Sequence, residues 1–545
     1  MTKQAKSQPK PAIELLTLDY QLAELPSSQH RAGLAGLVLM VKWLARQPNA
    51  KGVCRLTRLD AQGLTLEMDL PGLEALFDET YGASQEEQEY SQPWKDKKGN
   101  IKPPLKEDER QETDSKTGKT KTKKVYIYPL VVPKGALLID FDPTANGDKG
   151  IWIKLWRDMV WEILRGIPAT RNPFNARADK EPTDDAAKVW DELVKPIDYS
   201  IDLPSTYFIG AQSANAEDVP FKDRARYQFL LHFWPYIAQI YVPTIINNEG
   251  KRESVGYALA IPDIAELDFF CEEFAHVMKY RSQDVSGYRP KDAIVDLAVE
   301  GALELLSKLT ARLKVLAAEQ TTGTLVLGID VVHVKKEGNS IKVLGVARLD
   351  PEMSMIDEYS RIRQTLWDTT FRRQRLLNLV NHRPWYLGFD RLCSTLSIEQ
   401  TLKSNSFCHD ARETFKEIED EIMENSESVN DELKKDSKAK ALTCEALVYQ
   451  LVSTYISKKL KSKYQLEWGK SEKGEYNEKR EKVAREAFLA VRSRSGLDFI
   501  DYFASTLCST PQYLDEEQFG TITKALYEET DKVRTLTMLA LSAKG

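Results

Sequence analysis

Arg171, Asn172, Asn175 and Arg177 stand close together in the segment 167–177, which also holds Pro168 and Pro173. Two prolines restrict the backbone, so these side chains can be presented with little ordering cost. A guanidinium binds guanine or phosphate through two parallel hydrogen bonds, and an asparagine amide pairs with adenine or with groove acceptors. The competing reading is a structural turn whose asparagines cap backbone groups. A second segment, 208–221, alternates Gly210, Ala211, Ala214 and Ala216 with Gln212 and Asn215. Small residues admit another backbone, and the two amides supply donors, which suits a loop entering a minor groove. The competing reading there is helix capping.

Two basic groups follow. Arg361, Arg363, Arg372, Arg373 and Arg375 fall within 361–375, read as one helix with Arg361, Arg372 and Arg375 on one face. Such a face can grip phosphates, or it is a solvated face beside acids such as Asp357. Lys458, Lys459, Lys461, Lys463, Lys470, Lys473, Lys479 and Arg480 are interleaved with Tyr455, Tyr464, Trp468 and Tyr476. Bases stack on aromatic rings while cations neutralise phosphates, so this pattern suits a single strand. A solvated charged face is the alternative.

Other chemistry leaves weaker traces. The six histidines are His30, His232, His276, His333, His382 and His409, and no two have i,i+3 or i,i+4 spacing. A helical metal pair is therefore not expected. Neither a GxxxxGK[ST] phosphate loop nor a GxSxG elbow occurs. His409-Asp410 is a bare dipeptide, Cys408 beside it reads as structural, and His232 reads as a satisfied core histidine. Asp140 and Asp142, at a strand end before Pro143, are the best carboxylate pair. They carry the alternative reading, a metal-dependent nucleic-acid enzyme, against a plain strand end entering a turn. The expectation is no catalytic residue, no metal and no cofactor.

The chain supplying these groups has 545 residues, a net charge of −6 and 42% hydrophobic residues. That length suggests three to four domains with a sizeable core. Mean hydropathy is −0.44, and no apolar run reaches 18 residues, so no membrane helix is expected. The polar, basic start lacks the apolar stretch of a secretory signal. Six scattered cysteines with no CxxC pair fit a reducing cytoplasm rather than a disulfide framework.

The expected fold class is α+β: a large mixed N-terminal region with short sheets and hairpins, then a C-terminal helical bundle. Residues 1–11 read as a tail, 12–390 as the mixed region and 391–545 as the bundle. Strands are expected near 15–25, 53–59 and 64–68, and two short ones in 125–141. Helices are expected near 29–44, 72–81, 152–165, 224–242, 263–280 and 291–318. Hairpins are expected at 241–260 and 324–348. Gly33 and Gly36, one turn apart in the first helix, mark a face where something packs closely. Residues 83–124, rich in lysine, read as an exposed basic loop or ribbon, and 167–222 as loop-rich.

Several motifs together resemble a known family. They are Leu25-Pro26-Ser27-Ser28-Gln29-His30-Arg31-Ala32-Gly33-Leu34-Ala35-Gly36-Leu37, Ile167-Pro168-Ala169-Thr170-Arg171-Asn172-Pro173-Phe174, Gly210-Ala211-Gln212 with Asn215-Ala216-Glu217, and Leu230-Leu231-His232-Phe233-Trp234-Pro235. The chain resembles the large subunit of the type I CRISPR surveillance complex, Cascade, in its subtype I-B or Myxan-like branch. The resemblance implies a non-catalytic subunit near the crRNA 5′ end. It would read the protospacer-adjacent motif (PAM) in target double-stranded DNA, promote strand separation and R-loop formation, and help recruit a helicase-nuclease. Guide pairing would then carry the sequence specificity. Implied partners are crRNA, target duplex and displaced single strand, Cascade backbone subunits and small subunits; no membrane is involved, and the location is the prokaryotic cytoplasm. On this basis Arg171, Asn172, Asn175, Arg177, Gln212 and Asn215 are the expected DNA and PAM contacts. Arg361, Arg372, Arg375, Lys458, Lys459, Lys461 and Lys463 are the expected displaced-strand or phosphate contacts. The helical tail resembles the small subunit, which this family also makes by internal translation. Met423 is the expected start, with Met353 and Met355 as rivals. A third reading is a scaffold that never touches DNA.

Overall fold

The computed structural model describes residues 14–544 apart from 96–98, 114–119, 143, 145–148, 165–170, 203–216, 218, 248–250, 317–320, 339, 428–442 and 510–513. It forms two compact units, dividing between Glu352 and Met353.

The first unit is built on the helix Ser28–Leu44. Leu34, Leu37, Val38 and Met40 on it are fully buried. A helix apolar all round must be enclosed on every side. A Cβ at Gly33 would lie 2.3 Å from the Leu230 carbonyl oxygen, and one at Gly36 2.2 Å from that of Phe233. The two glycines therefore seat the segment around residues 225–238 directly on the helix backbone.

The unit also holds three larger sheets, built mainly of antiparallel pairs. Gly63–Met68 lies between Leu16–Gln21 and Cys54–Asp60. Tyr257–Ile264 lies between Gln239–Ile246 and Val326–Glu337, with Ser340–Leu349 completing the expected second hairpin. Thr120–Pro133 lies between Ala83–Tyr90 and Lys106–Thr113.

The third sheet is the lysine-rich insertion, and it is a ribbon rather than a loop. Its register sets Glu109 opposite Lys124, Arg110 opposite Lys123 and Glu112 opposite Lys121. Opposite charges across strands stabilise pairing, so the Glu109–Lys124 and Glu112–Lys121 positions are complementary, while Arg110 opposite Lys123 sets two cations side by side. The same strand replaces the two short strands expected in 125–141. It runs unbroken to Pro133, and a helical turn, Ala136–Ile139, follows Gly135 at φ +60°.

Residues 224–242 are not one helix. A short helix, Ala225–Leu230, gives way to a 3₁₀ turn at Trp234–Tyr236 and then to the strand Gln239–Ile246. Pro235 interrupts the helix. The β-branched Ile240, Val242, Thr244, Ile245 and Ile246 favour a pleated strand. Within 167–222 two helices form, Asn172–Asp179 and Asp185–Leu193.

The second unit is helical, with no strand among its described residues. Its centre is the helix Thr530–Ala543, where Val533, Leu536, Met538, Leu539, Ala540 and Leu541 are fully buried. It packs against Asn405–Glu427, Cys444–Lys459 and Lys473–Arg492. The unit opens at Met353, so the boundary expected at 390/391 falls inside it, within the helix Phe389–Thr395. The physical reason is a set of links from 353–380 to the helix Asn405–Glu427. Asp410 accepts the Trp367 and Asp368 N–H groups, and Arg375 donates to Thr414. The α+β class with a helical C-terminal region is as expected. No helix among the described residues is long and apolar enough to cross a membrane.

Candidate nucleic-acid interface

The helix Asn172–Asp179 starts with Pro173 in its first turn, where a missing N–H costs nothing. Its anchor is Phe174, 2% exposed, with the Tyr81 and Trp161 rings at 5.2 and 6.3 Å. The proline thus stiffens a helix start, and 171–177 is not a free loop.

Four expected contacts sit here in two different environments. Arg171 donates through Nε and Nη2 to the Trp161 carbonyl at 3.0 and 2.8 Å and stacks 4.5 Å over the Trp161 ring. Its side chain is 35% exposed, so a docked face leaves an accessible edge. Asn172 is exposed and Asn175 half-buried. Arg177 differs. It makes a two-pronged pair with Asp185 at 2.8 and 3.3 Å, donates to Asp78 at 2.9 Å and to the Pro173 carbonyl at 3.2 Å. Its side chain is 9% exposed, 5.6 Å over the Tyr81 ring. Burial pushes the Asp185 carboxyl up, but the Arg177 hydrogen bonds and charge pull it below its ordinary value. Arg177 is therefore a clamp joining helices, its guanidinium already paired twice and largely shielded from water. Gln212 and Asn215 lie outside the described residues.

The two carboxylates named for the alternative reading both have partners within the protein. Asp142 accepts from Thr144 N, Thr144 Oγ1 and Trp152 N at 3.0, 2.5 and 2.8 Å, which caps the helix Ile151–Asp158. Asp140 pairs with Arg46 at 3.0 Å. Among the described residues no three His, Cys, Asp or Glu side chains gather in a geometry fit for a metal. His232 is a core residue, 4% exposed, bonded through Nδ1 to the Tyr81 hydroxyl. Cys408 is buried against the Leu402 carbonyl, and burial pushes its thiol up to about 11.

In the second unit, the expected helix 361–375 is two helices, Met353–Thr365 and Thr369–Val380. Asp368 caps the second, accepting from Thr370 N and Phe371 N at 3.0 Å each. Asp-Thr-Thr is an N-cap signal readable in the sequence. The break separates the arginines. Arg361 is exposed and Arg372 half-buried, donating to the Leu366 carbonyl at 3.2 Å. Arg375 is 5% exposed, with Thr414 and Glu358 at 3.1 and 3.2 Å and the Trp385 ring 5.6 Å away. Its guanidinium is thus engaged inside the unit.

The lysine cluster is exposed but mixed with acids. Lys459 lies 5.7 Å over the Tyr455 ring, and Lys458 is half-buried. Lys461 and Lys470 both bond Glu467, which holds its carboxyl down at about 2, and Lys463 reaches Glu486 at 3.5 Å. Exposed pairs of this kind contribute little to stability and are screened by salt. An incoming phosphate can displace them at small cost. Trp468, 66% exposed, meets Tyr476 edge-on at 5.2 Å. Sequence reasoning missed Trp367, which sits at the break between the two arginine-bearing helices; its signal was a tryptophan in an otherwise polar stretch.

Two family models match the chain. The model described as the Type I-B CRISPR Cas8b N-terminal domain matches residues 53–319, and that for the C-terminal domain matches residues 326–544. No curated protein matches it. The second match begins at the strand Val326–Glu337, which is part of the first compact unit.

Proposed function

The chain belongs to the type I-B CRISPR Cas8b family, and from that premise we propose that it is the non-catalytic large subunit of a crRNA-guided surveillance complex. In this reading it recognises the PAM in duplex DNA, helps part the strands and form the R-loop, and helps recruit the helicase-nuclease. The observation that carries the proposal is the pair of family matches, which together span nearly the whole chain.

The physical logic is that PAM binding must offset local unstacking of the duplex, so readers need rigid presentation. Arg171, Asn172 and Asn175 at the start of a proline-stiffened helix answer that need in the first unit. Gln212 and Asn215 are the further proposed contacts. Arg361, Arg372, Lys458, Lys459, Lys461 and Lys463 are proposed to meet the phosphates of the displaced strand. The partners proposed are crRNA, target DNA, backbone and small subunits, in the cytoplasm of a prokaryote.

A separately translated small subunit is part of the proposal. Met423 lies inside the helix Asn405–Glu427, whereas Met353 opens the second compact unit. A product from Met423 would lose Phe407, Ala411 and Phe415, which are buried in that unit. Intact-mass measurement of the purified complex separates the starts at Met423, Met353 and Met355, and a single large species with no C-terminal product overturns the idea.

The test of the main reading is reconstitution with crRNA and the neighbouring operon products, with and without this chain, followed by permanganate footprinting of a target duplex. Motif-dependent strand opening only when the chain is present supports the reading. Equal opening without it refutes the reading.

A further inference from the structure

Trp367 is 64% exposed, yet it is held firmly. Its backbone N–H donates to both oxygens of Asp410, at 2.9 and 3.0 Å, and Asp410 is fully buried. The next N–H, of Asp368, donates to the same carboxylate at 2.7 Å. One ring face lies on the His409 imidazole, with centroids 3.6 Å apart and planes 9° from parallel. The imidazole is fixed in turn by Nδ1 at 3.1 Å from Asp410 Oδ1. Asp368 is anchored by Ser406 at 2.9 Å while it caps the following helix.

A tryptophan with water on one face loses free energy it would regain by folding onto its own surface. Here the buried carboxylate fixes the backbone and the imidazole fixes the ring, so the outer face stays presented. A preorganised, flat aromatic face binds a planar partner with little further ordering cost. The charge around it selects the partner. Residues 361–375 contain five arginines and one acid, Asp368, which is engaged as a cap; Arg375 is buried and paired with Glu358 and Glu417, and Glu417 also accepts from Thr365, so the cations left near the ring are the other four. Arg361 is exposed, while Arg363, Arg372 and Arg373 are half-buried. Arg372 reaches the carbonyl of Leu366, the residue before Trp367. A planar platform flanked by cations fits an unpaired nucleobase on a polyanionic backbone better than it fits an apolar protein surface.

We propose that Trp367, backed by His409, is a stacking platform for an unpaired base of single-stranded DNA whose phosphates run past Arg361 and Arg372. The proposal rests on the reading that the second unit meets the displaced strand, and it names the contact. Base stacking on an aromatic ring is sequence-tolerant, because every base has a flat face.

The test uses the full chain and a labelled 20-nucleotide oligo-dT, alongside the same backbone with abasic sites. Trp367→Ala is expected to weaken oligo-dT binding about 5- to 150-fold. Trp367→Phe, which keeps a smaller ring, is expected to lose less. Binding of the abasic strand is expected to be the same in all three proteins. Photocrosslinking with 5-iodo-deoxyuridine should then label Trp367. The side chain is mostly exposed, so the alanine variant should keep its unfolding temperature. Oligo-dT binding that is absent in the parent chain, or unchanged in Trp367→Ala, overturns the platform. So does a variant that binds oligo-dT normally but fails to assemble with the other subunits, which would make this face a protein contact. Motif discrimination on duplex DNA is read separately in the assembled complex, so the platform and the recognition role fail independently.

Discussion

Replacing Arg177 by alanine separates stability from DNA binding. The guanidinium joins Asp185, Asp78 and the Pro173 carbonyl, with its side chain 9% and that of Asp185 19% exposed. Removing one partner of a buried pair costs about 3–5 kcal/mol, because the other charge stays desolvated. The Asp78 arm contributes little, since Asp78 is 65% exposed. Asp185 also keeps its bond from Ala186 N, so the lower figure, about 3 kcal/mol, applies. At roughly 2 °C per kcal/mol for a large unit, the first thermal transition should fall by about 6 °C. Near-ultraviolet circular dichroism of the full chain reads this. Arg171→Ala, which loses a half-exposed stack, two bonds to a carbonyl and a part-exposed ion pair with Glu162 at 3.8 Å, should shift that transition by about 2 °C or less, yet weaken target-duplex binding by the assembled complex. An Arg177→Ala protein with an unchanged transition and a binding loss equal to that of Arg171→Ala would refute the reasoning and restore Arg177 as a reader.

Other consequences follow from the same geometry. Asp185 sits below its ordinary value in the folded chain, so its pair stabilises above about pH 4 and is lost as pH falls through the folded value. The gap in unfolding temperature between parent and Arg177→Ala should therefore narrow below pH 4; a constant gap down to pH 2.5 would contradict the linkage. Gly36→Ala places a Cβ 2.2 Å from the Phe233 carbonyl oxygen. The clash, at about 3 kcal/mol, outweighs the gain in helix propensity of about 1, so denaturant unfolding should show a net loss of about 2 kcal/mol. An equally stable variant would mean that the 225–238 segment does not rest on that helix. Of the six free cysteines only Cys508 is exposed, so Ellman's reagent should modify one thiol per folded chain, and Cys508→Ser should abolish that fast phase. Fast modification of any of the four buried thiols, Cys271, Cys393, Cys408 or Cys444, as distinct from the half-buried Cys54, would show that the cores of the units open readily.

What the sequence revealed depended on how local the signal was. Gly33 and Gly36, one turn apart in an apolar helix, announced a close backbone approach, and both carbonyls are there. The hairpin Val326–Glu337 with Ser340–Leu349 followed from two β-rich runs about a short turn. The segment 224–242 misled because a buried strand is a continuous apolar run, which periodicity cannot distinguish from helix. The insertion 83–124 read as an exposed loop or ribbon rich in lysine, but which of its acids face which lysines is set by strand register, which composition does not contain.

The same distinction governs the candidate site. Residue types drew attention to Arg171 and Arg177 equally. Only tertiary structure separates them, since Asp78, a partner of Arg177, is 99 positions away. Arg375 was drawn to the surface by helical spacing, but the Asp368 cap breaks that helix and the face rotates inward. Trp367 was passed over because its platform depends on His409 and Asp410, some forty residues later, which read as an unremarkable dipeptide.

In the proposed role, this chain supplies the complex with its sensitivity to the motif beside the target. The direct measurement is the affinity of the assembled complex for duplexes differing by one base pair in that motif, at fixed salt, with and without the chain. A recognition subunit predicts a ratio of about 5- to 150-fold, the usual cost of one mismatched pair, which collapses to about one when the chain is omitted. A ratio that persists without the chain would contradict the account.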